Sequence, residues 1–318
     1  MHRYYGVRTP MGEEQVRLTL KKYVGYLEER HPLPIGGVAD YYVEANTLIE
    51  LGSAVSGAIA AGLPYLVIST GNRILFSDGG YPGLLIRNMA AGVVRSSERS
   101  QIITDSGVPL GRLVTQTAAW ELGGLTPFYG QTASLGGALY SDLQVNGHRL
   151  AASVRSVTVL MPPTRLSTEA KIVRQSANWL FDAPEPGSRL SRLRESGDGQ
   201  GPVPILLSAT LQLTSNRGGD LMDQIRRSNR LLAEKPRGSV GPLFELPLQG
   251  NLDESLQAAG KGLRIGTCSL HRRMSNYAVA RGTFSSSDLR RLIETLQERV
   301  LTATGSRLTS RYEYLGVW

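Results

Sequence analysis

The sequence predicts an α+β protein of more than one domain, and three observations support this class. Segments whose apolar residues recur at helical spacing alternate with short apolar segments that are typical of strands. The 318-residue chain exceeds the length at which one hydrophobic core stops growing. Its C-terminal part contains helices and strands of its own and is predicted as a separate unit. We therefore expect two or more domains, with the last hundred residues as one of them.

The first half is predicted to begin with a helix and to continue as strands. One helical face carries Val16, Leu20, Tyr23, Val24 and Leu27. The prolines that follow in the stretch 31–34 end this helix. Strands are predicted over the apolar stretches Val38–Glu44, Tyr65–Ser69, Gln101–Asp105, Val154–Met161 and Ile205–Leu213.

Helices and loops are expected to connect these strands. A helix after the first strand is predicted to have Asn46 as its N-cap and Gly62 as its C-terminal stop. Pro109–Leu122 is predicted as a second helix, and the glycine-rich stretch Ser134–Leu139 as a turn. Residues 164–204 are polar and rich in glycine, proline and arginine, so a long loop is expected there.

The C-terminal part is predicted to contain two helices and two short strands. The helix Asp220–Ala233 directs inward Leu221, Met222, Ile225 and Leu232. Ser287 is predicted to cap the helix Asp288–Thr304, and Gly305 to end it. The apolar stripe of this helix consists of Leu289, Leu292, Ile293, Leu296 and Val300. The strands are Tyr277–Ala280 and Arg311–Leu315.

The composition argues against several classes of protein. A single cysteine allows no disulfide within the chain and no cysteine-rich metal site. The four histidines show no ligand spacing, so no metal site is predicted. The N-terminus lacks the apolar core of a signal peptide, and no run of about 18 apolar residues could span a membrane. A cytoplasmic protein without a membrane partner is the expectation.

The net charge of +8 leaves two kinds of partner to consider. The arginines are dispersed and are not interleaved with aromatic residues, which favours an anionic small molecule over nucleic acid as the partner. An arginine-rich nucleic-acid binder on an unrelated fold stays open as the weaker alternative. The motifs G-x-G-x-x-G, G-x-x-x-x-G-K-[ST] and G-x-S-x-G are absent from the sequence. The many glycine turns are either tight turns alone or places where backbone N–H groups approach a pyrophosphate.

Several ordered segments match one family. Gly62–Ile86 has a glycine turn followed by D-x-G, Gly123–Leu139 ends in a Gly-Gly-Ala turn, and Ala258–Gly282 carries K-G-x-x-I-G and a later asparagine. In this order the segments resemble the MurB family of UDP-N-acetylenolpyruvoylglucosamine reductases, which are FAD proteins of bacterial wall (peptidoglycan) synthesis. The resemblance implies a fold of two α+β subdomains of the PCMH-type FAD-binding class, followed by a MurB-like C-terminal domain. The three parts are expected over residues 1–98 (with the N-terminal helix), 99–215 and 216–318.

The resemblance also implies cofactors and the residues that bind them. It implies FAD as a bound flavin and NADPH as its reductant. The implied cofactor-binding residues are Gly71, Asn72, Arg73, Asp78, Gly80, Ser134, Gly136, Gly137 and Ala138.

Catalytic roles follow from the family's remaining motifs. Arg189 aligns with the arginine of Y-R-x-S, which steadies an enolate-like intermediate, and Ser239 aligns with the serine of G-S-x-F, which delivers a proton. The family's catalytic glutamate falls on Arg311, and Glu313 lies two residues on, on the same face of the expected strand. Glu313 either replaces that glutamate or only forms an ion pair with Arg311; the ion pair is favoured. Glu245 stands where the family's K-N-P motif has lysine.

The resemblance leaves two functions open. The implied substrate-binding residues are Arg227, Arg230, Lys261 and Asn276, and a solvated helix face is the alternative for the two arginines. Cys268 and His271 are expected to have structural roles. The chain is either an FAD-dependent reductase of UDP-N-acetylenolpyruvoylglucosamine or a related anionic substrate, or a diverged member. A diverged member would have lost the reductase activity, with or without loss of FAD, and would act as a binding protein or an enzyme of another pathway.

Overall fold

The computed structural model describes residues 35–70, 73–98, 100–163, 170–181, 193, 203–216, 220–231, 239–245 and 252–318. The helix expected near the N-terminus lies outside the described residues. Contacts divide the described chain into two compact units. The first contains residues 42–70 and 84–231, and the second contains residues 35–41, 73–83 and 239–318. The three-part division of the sequence stays a prediction.

The strands are short, and glycine or polar turns separate most of them. In chain order they are β1 (Ala39–Ala45), β2 (Tyr65–Ile68), β3 (Ile74–Phe76), β4 (Tyr81–Asn88), β5 (Val93–Arg95), β6 (Gln101–Asp105), β7 (Leu122–Gly123), β8 (Gln144–Val145), β9 (His148–Arg149), β10 (Val154–Met161), β11 (Lys171–Ser176), β12 (Ile205–Gln212), β13 (Thr214–Ser215), β14 (Ser239–Val240), β15 (Arg264–Ile265), β16 (Cys268–Leu270), β17 (Ala278–Ala280) and β18 (Glu313–Leu315).

The helices alternate with these strands. They are α1 (Leu48–Ala60), α2 (Leu110–Ala119), α3 (Leu135–Tyr140), α4 (Ala177–Phe181), α5 (Leu221–Leu231), α6 (Leu252–Gly260) and α7 (Ser286–Thr304), with 3₁₀ turns at Thr126–Phe128 and Leu150–Ser153. The mixture of helices and small sheets confirms the α+β class. Within the described part of the chain, no helix is long and apolar enough to cross a membrane.

The first unit is built on an antiparallel sheet with the strand order β11-β10-β12-β6-β5. The central strand β12 is buried over most of its length, which shows that both faces of the sheet are covered there. The core of the first unit combines apolar side chains of β10 and β12 with those of α2, α3 and α5. A second sheet has the order β1-β4-β2, in which β2 and β4 run parallel.

The second unit packs α7 against the antiparallel sheet β14-β17-β16-β15. The predicted apolar stripe of α7 is confirmed, since all of its members are buried in the core of this unit. Gly305 has a φ of 71° and ends the helix, as predicted. A separate parallel pair joins β18, near the C-terminus, to β3.

Two predicted helix caps are wrong by one or two residues. The side chain of Thr47, not Asn46, accepts the N–H of Glu50 at the start of α1, and the N–H of Asn46 is donated to the Glu50 carboxylate at 2.7 Å. Ser285, not Ser287, caps α7. In each case several residues able to cap stand side by side, so the local sequence does not decide among them.

Other expectations are corrected where packing outweighs local preference. The stretch predicted as a turn at Ser134–Leu139 is mostly the helix α3, because Leu135, Ala138 and Leu139 are buried in the core. The predicted loop over residues 164–204 contains the exposed edge strand β11 and the helix α4. Met222, predicted to point inward, is 39% exposed.

Candidate active site

Three segments that are distant in the sequence join in the second unit. Phe244 forms an antiparallel bridge with Ser310, and Glu313–Leu315 pairs with Ile74–Phe76 in parallel. The N–H of Glu245 is donated to the carbonyl of Thr309 at 3.0 Å. The segment 309–315 therefore binds the end of the Ser239 motif on one side and the strand after the first glycine turn on the other.

Arg73 links two of these segments through its side chain and its backbone. Its guanidinium lies 3.1 Å from the Glu245 carboxylate, and both side chains are partly exposed. Its carbonyl accepts the N–H of Glu313 at 2.8 Å. The sequence placed Arg73 among the cofactor residues, and the structure places it in this ion pair. Gly71 and Asn72, predicted beside it, lie outside the described residues.

Ser239 lies on β14, opposite Val279, and is partly exposed. Asn276 holds the segment that follows it. The side-chain oxygen of Asn276 accepts the N–H groups of Leu243 at 3.0 Å and of Phe244 at 2.8 Å, and its amide nitrogen donates to the Phe244 carbonyl at 3.0 Å. Asn276, predicted to bind substrate, thus clamps the loop between Ser239 and Glu245.

Arg311 and Glu313 do not share a strand face, contrary to expectation. Arg311 lies in a bend before β18, and its N–H is donated to the Leu243 carbonyl at 2.9 Å. The N–H of Glu313 is donated instead to the carbonyl of Arg73. Because the backbone turns between the two residues, the expected ion pair does not form: among the described residues, Arg311 has no ion-pair partner.

Asp78 and Gly80 lie in a turn of the second unit. The Asp78 carboxylate accepts hydrogen bonds from the Ser285 hydroxyl at 2.8 Å and from the N–H groups of Ser286 and Ser287 at 2.9 Å. Burial alone would raise the pKa of Asp78, but these hydrogen bonds outweigh it and hold the pKa below its ordinary value. The N–H of Gly80 is donated to the Ser77 carbonyl at 3.0 Å.

The second glycine turn belongs to the first unit and opens α3. Its N–H groups have acceptors within the protein: that of Gly136 is donated to the Ser106 carbonyl at 2.7 Å, and that of Gly137 to the Ser134 hydroxyl at 3.2 Å. A Cβ on Gly136 would lie 3.0 Å from that carbonyl oxygen of Ser106. A side chain at residue 136 would therefore need the Ser106 backbone to give way.

Gly137 differs from its neighbour because its Cα faces open space. A Cβ there would approach only the Ser134 hydroxyl, at 3.5 Å. The stretch just before this turn borders an open cavity of about 690 Å³. The cavity is lined by Gly111, Arg112, Thr115, Gln116, Ala119, Tyr129, Gly130, Gln131 and Thr132.

Most of the chain is similar to proteins of known activity, although no family model matches it. It is 30% identical over 287 residues to the UDP-N-acetylenolpyruvoylglucosamine reductase of Rubrobacter xylanophilus, covering 89% of this chain and 91% of that protein. A Synechococcus protein of the same name is 29% identical over 274 residues, covering 84% and 82%. The chain belongs to the UDP-N-acetylenolpyruvoylglucosamine reductase family.

The fold agrees with this family. The crystal structure of the reductase (MurB) from Thermus caldophilus matches with a TM-score of 0.69 at 21% sequence identity, covering 92% of this chain and 98% of that one. The fold implied by the sequence resemblance is therefore confirmed.

The remaining predicted site residues of this reductase-family chain lie on other elements or outside the described residues. Arg227 lies on α5 of the first unit and pairs with the Asp220 carboxylate. Lys261 is exposed in the turn after α6. Arg189 lies outside the described residues, and so does the side chain of Arg230.

Two residues with expected structural roles have them. Cys268 is fully buried, and burial raises the pKa of its thiol. The Nδ1 atom of His271 accepts the N–H of Met274 at 3.1 Å and that of Arg273 at 3.3 Å. In the described part of the chain, no group of histidine, cysteine and acidic residues could hold a metal ion.

Sequence reasoning did not place Glu245 in the site. The sequence feature that points to Glu245 is a reversal of charge relative to the family motifs. The motif resemblance sets Glu245 and Arg311 at positions where it implies lysine and glutamate, and the structure places these two residues on paired segments.

Proposed function

We propose that the protein is an FAD-dependent oxidoreductase that reduces UDP-N-acetylenolpyruvoylglucosamine, or a related anionic substrate, with NADPH. The observation that carries the proposal is the joining of the Ser239–Glu245 segment and the Thr309–Leu315 segment in one unit, beside Arg73. These segments hold the motifs that the chain shares with the family. Relatives carrying the reductase name match along most of the chain, which supports the same reaction.

The glycines of α3 that are proposed to bind FAD offer it a contact surface rather than N–H groups for hydrogen bonds. The N–H groups of Gly136 and Gly137 already have acceptors, so they are not available to a pyrophosphate. The open face of Gly137 allows close approach of a flat or anionic group, and Arg112 lines the adjacent cavity. We propose that Gly137 holds FAD by this approach, and that the buried Ser134 and Ala138 and the closely packed Gly136 fix the turn that presents it.

A second set of proposed flavin residues belongs to the other unit: Gly71, Asn72, Arg73, Asp78 and Gly80. Because the Asp78 carboxylate caps α7, its contribution there is to fix the turn rather than to contact the flavin.

The proposed chemistry assigns roles to individual side chains. When bound, FAD reduced by NADPH supplies a hydride to the enolpyruvyl double bond. Ser239 would deliver the proton to the neighbouring carbon, and Asn276 keeps the loop that follows it in place. Arg189 would hold the developing carboxylate charge, since its guanidinium offers a planar fork. Glu313, whose N–H is donated to the Arg73 carbonyl, is the candidate carboxylate for the role of the family's catalytic glutamate.

Substrate contacts complete the assignment. The residues proposed to hold the anionic substrate are Arg227, Arg230, Lys261 and Asn276. A cytoplasmic location suits a nucleotide-sugar substrate and NADPH.

A second candidate function rests on one observation. Arg311 occupies the place of the family's glutamate, and its side chain has no carboxylate partner among the described residues. A chain with a cation at this place could have lost proton transfer and kept ligand binding, or could act in another pathway.

Spectroscopy and a turnover assay separate these functions. The purified protein, reconstituted with FAD, is mixed with NADPH with and without UDP-N-acetylenolpyruvoylglucosamine. Substrate-dependent oxidation of NADPH supports the reductase. Flavin binding without substrate-dependent oxidation supports the diverged oxidoreductase, and absence of flavin binding supports the non-catalytic binding protein.

A further inference from the structure

Arg311 differs from the other arginines of intermediate exposure in the described part of the chain. These are Arg73, Arg87, Arg290 and Arg311. The first three each have a carboxylate partner: Glu245 at 3.1 Å, Glu44 at 3.5 Å and Glu294 at 2.8 Å. Arg311 has neither an ion pair nor a side-chain hydrogen bond within the described residues.

The backbone of Arg311 is fixed at the candidate site. Its N–H is donated to the carbonyl of Leu243 at 2.9 Å, and the residue before it bridges to Phe244. The residue after it, Tyr312, is only 5% exposed. The backbone of Arg311 is therefore held against the loop that begins at Ser239.

The acidic residue on the facing segment has another partner. Glu245 lies diagonally across from Arg311 in the paired segments, where Cα atoms are about 7–8 Å apart. Its carboxylate turns to Arg73 instead. The local charges thus leave Arg311 without a counter-ion from this segment.

A partly buried charge without a partner is costly, and a ligand anion of opposite charge offsets that cost. The guanidinium fork matches the oxygen geometry of carboxylates and phosphates. We propose that Arg311 binds an anionic oxygen group of the ligand, a carboxylate or a phosphate, at the place where the family motif has glutamate. This inference deepens the proposed function, on which it rests for the identity of the ligand.

The proposed substrate carries both groups, so two probes distinguish them. UDP-N-acetylenolpyruvoylglucosamine has the enolpyruvyl carboxylate and the diphosphate, whereas UDP-N-acetylglucosamine has only the diphosphate. Calorimetric titration of both into the full-length protein compares the wild type with Arg311→Gln and Arg311→Lys. Arg307→Gln is the matched control, because Arg307 is exposed and lies in the same connection after α7.

The expected result is a weaker Kd in Arg311→Gln by about 10- to 100-fold, with a smaller loss in Arg311→Lys and none in Arg307→Gln. Loss for the enolpyruvyl sugar alone assigns Arg311 to the carboxylate, and equal loss for both sugars assigns it to the diphosphate. Unchanged Kd values in Arg311→Gln, or no binding of either sugar to the wild type, overturn the inference.

Stability and turnover provide independent readouts. Because the Arg311 side chain has no ion-pair or hydrogen-bond partner in the part of the chain that the structure describes, Arg311→Gln should keep the wild-type Tm or raise it slightly in the absence of ligand. A lower Tm with unchanged affinity would assign Arg311 a purely structural role and overturn the inference. The binding assay needs no reaction, so absent turnover with Arg311-dependent binding would contradict the proposed reductase and leave this inference supported.

Discussion

The carboxylate of Asp78 accepts the backbone N–H of Ser286 at 2.9 Å, across 208 positions of the sequence. The same carboxylate accepts hydrogen bonds from the Ser285 hydroxyl and the Ser287 N–H, and so it caps the N-terminus of α7. A negative charge at this end of a helix is also favoured by the helix dipole. The turn that resembles a cofactor motif therefore supports the longest helix in the described part of the chain.

Replacing Asp78 should cost stability in a pH-dependent manner. The variant Asp78→Ala is expected to lose about 1 kcal/mol of unfolding free energy at neutral pH. Because the folded-state pKa of Asp78 is lowered, this contribution is complete above the unfolded pKa of about 4 and disappears as the pH falls through the folded value. Denaturant titrations at several pH values measure it. A difference that stays constant down to strongly acidic pH would contradict the role assigned to the carboxylate.

Asn276 should matter for stability before it matters for substrate. The change Asn276→Ala leaves the N–H of Phe244 without its acceptor, whereas the N–H of Leu243 keeps the Asn276 backbone carbonyl at 2.8 Å, so we expect a loss of about 1–3 kcal/mol. The exposed helix residue Gln257, changed to alanine, is the control and should stay within about 0.5 kcal/mol of wild type. Urea unfolding curves compare the two. Equal stability of both variants would show that the clamp does not hold the loop.

The two adjacent glycines of α3 should respond in opposite ways. Gly136→Ala places a Cβ 3.0 Å from the Ser106 carbonyl oxygen and should destabilise the protein by about 1–3 kcal/mol. Gly137→Ala meets open space and should be neutral or gain up to about 1 kcal/mol from helix propensity.

FAD affinity adds a second readout for this pair. If FAD lies against Gly137, the stable Gly137→Ala variant should bind FAD more weakly, as measured by flavin fluorescence quenching. Wild-type FAD affinity in that variant would contradict the proposed approach at this surface.

Cys268 should be inert in the folded protein. Burial raises the pKa of its thiol, so little thiolate exists at neutral pH and reagents cannot reach the sulfur. A thiol-specific disulfide reagent is expected to react only after unfolding in guanidinium. Stoichiometric reaction under native conditions would contradict the assigned packing.

The regular elements could be predicted because periodicity reports burial. The stripe of α7 and the strands Gln101–Asp105 and Val154–Met161 were placed correctly from apolar spacing. Edge strand β11 was missed because both of its faces are largely exposed and its sequence lacks apolar alternation. The helix α3 was missed because its glycines predict a turn, whereas burial of three apolar side chains stabilises the helix.

The site was only partly accessible to sequence reasoning. The motif resemblance identified Ser239, Arg73 and Arg311 as notable positions, but strand pairing decides which side chains meet. The bend at Arg311 and the pairing of Arg73 with Glu245 depend on contacts far apart in the chain. No local pattern encodes them, and the expected ion pair between Arg311 and Glu313 was wrong for this reason.

The most direct test of the proposed reductase is an anaerobic visible spectrum of the FAD-reconstituted protein. The flavin band at about 450 nm should bleach when NADPH is added and return when UDP-N-acetylenolpyruvoylglucosamine follows. UDP-N-acetylglucosamine, which has no double bond to reduce, should leave the band bleached. A protein that stays colourless after reconstitution, or a bleached band that the enolpyruvyl sugar does not restore, would contradict the reductase.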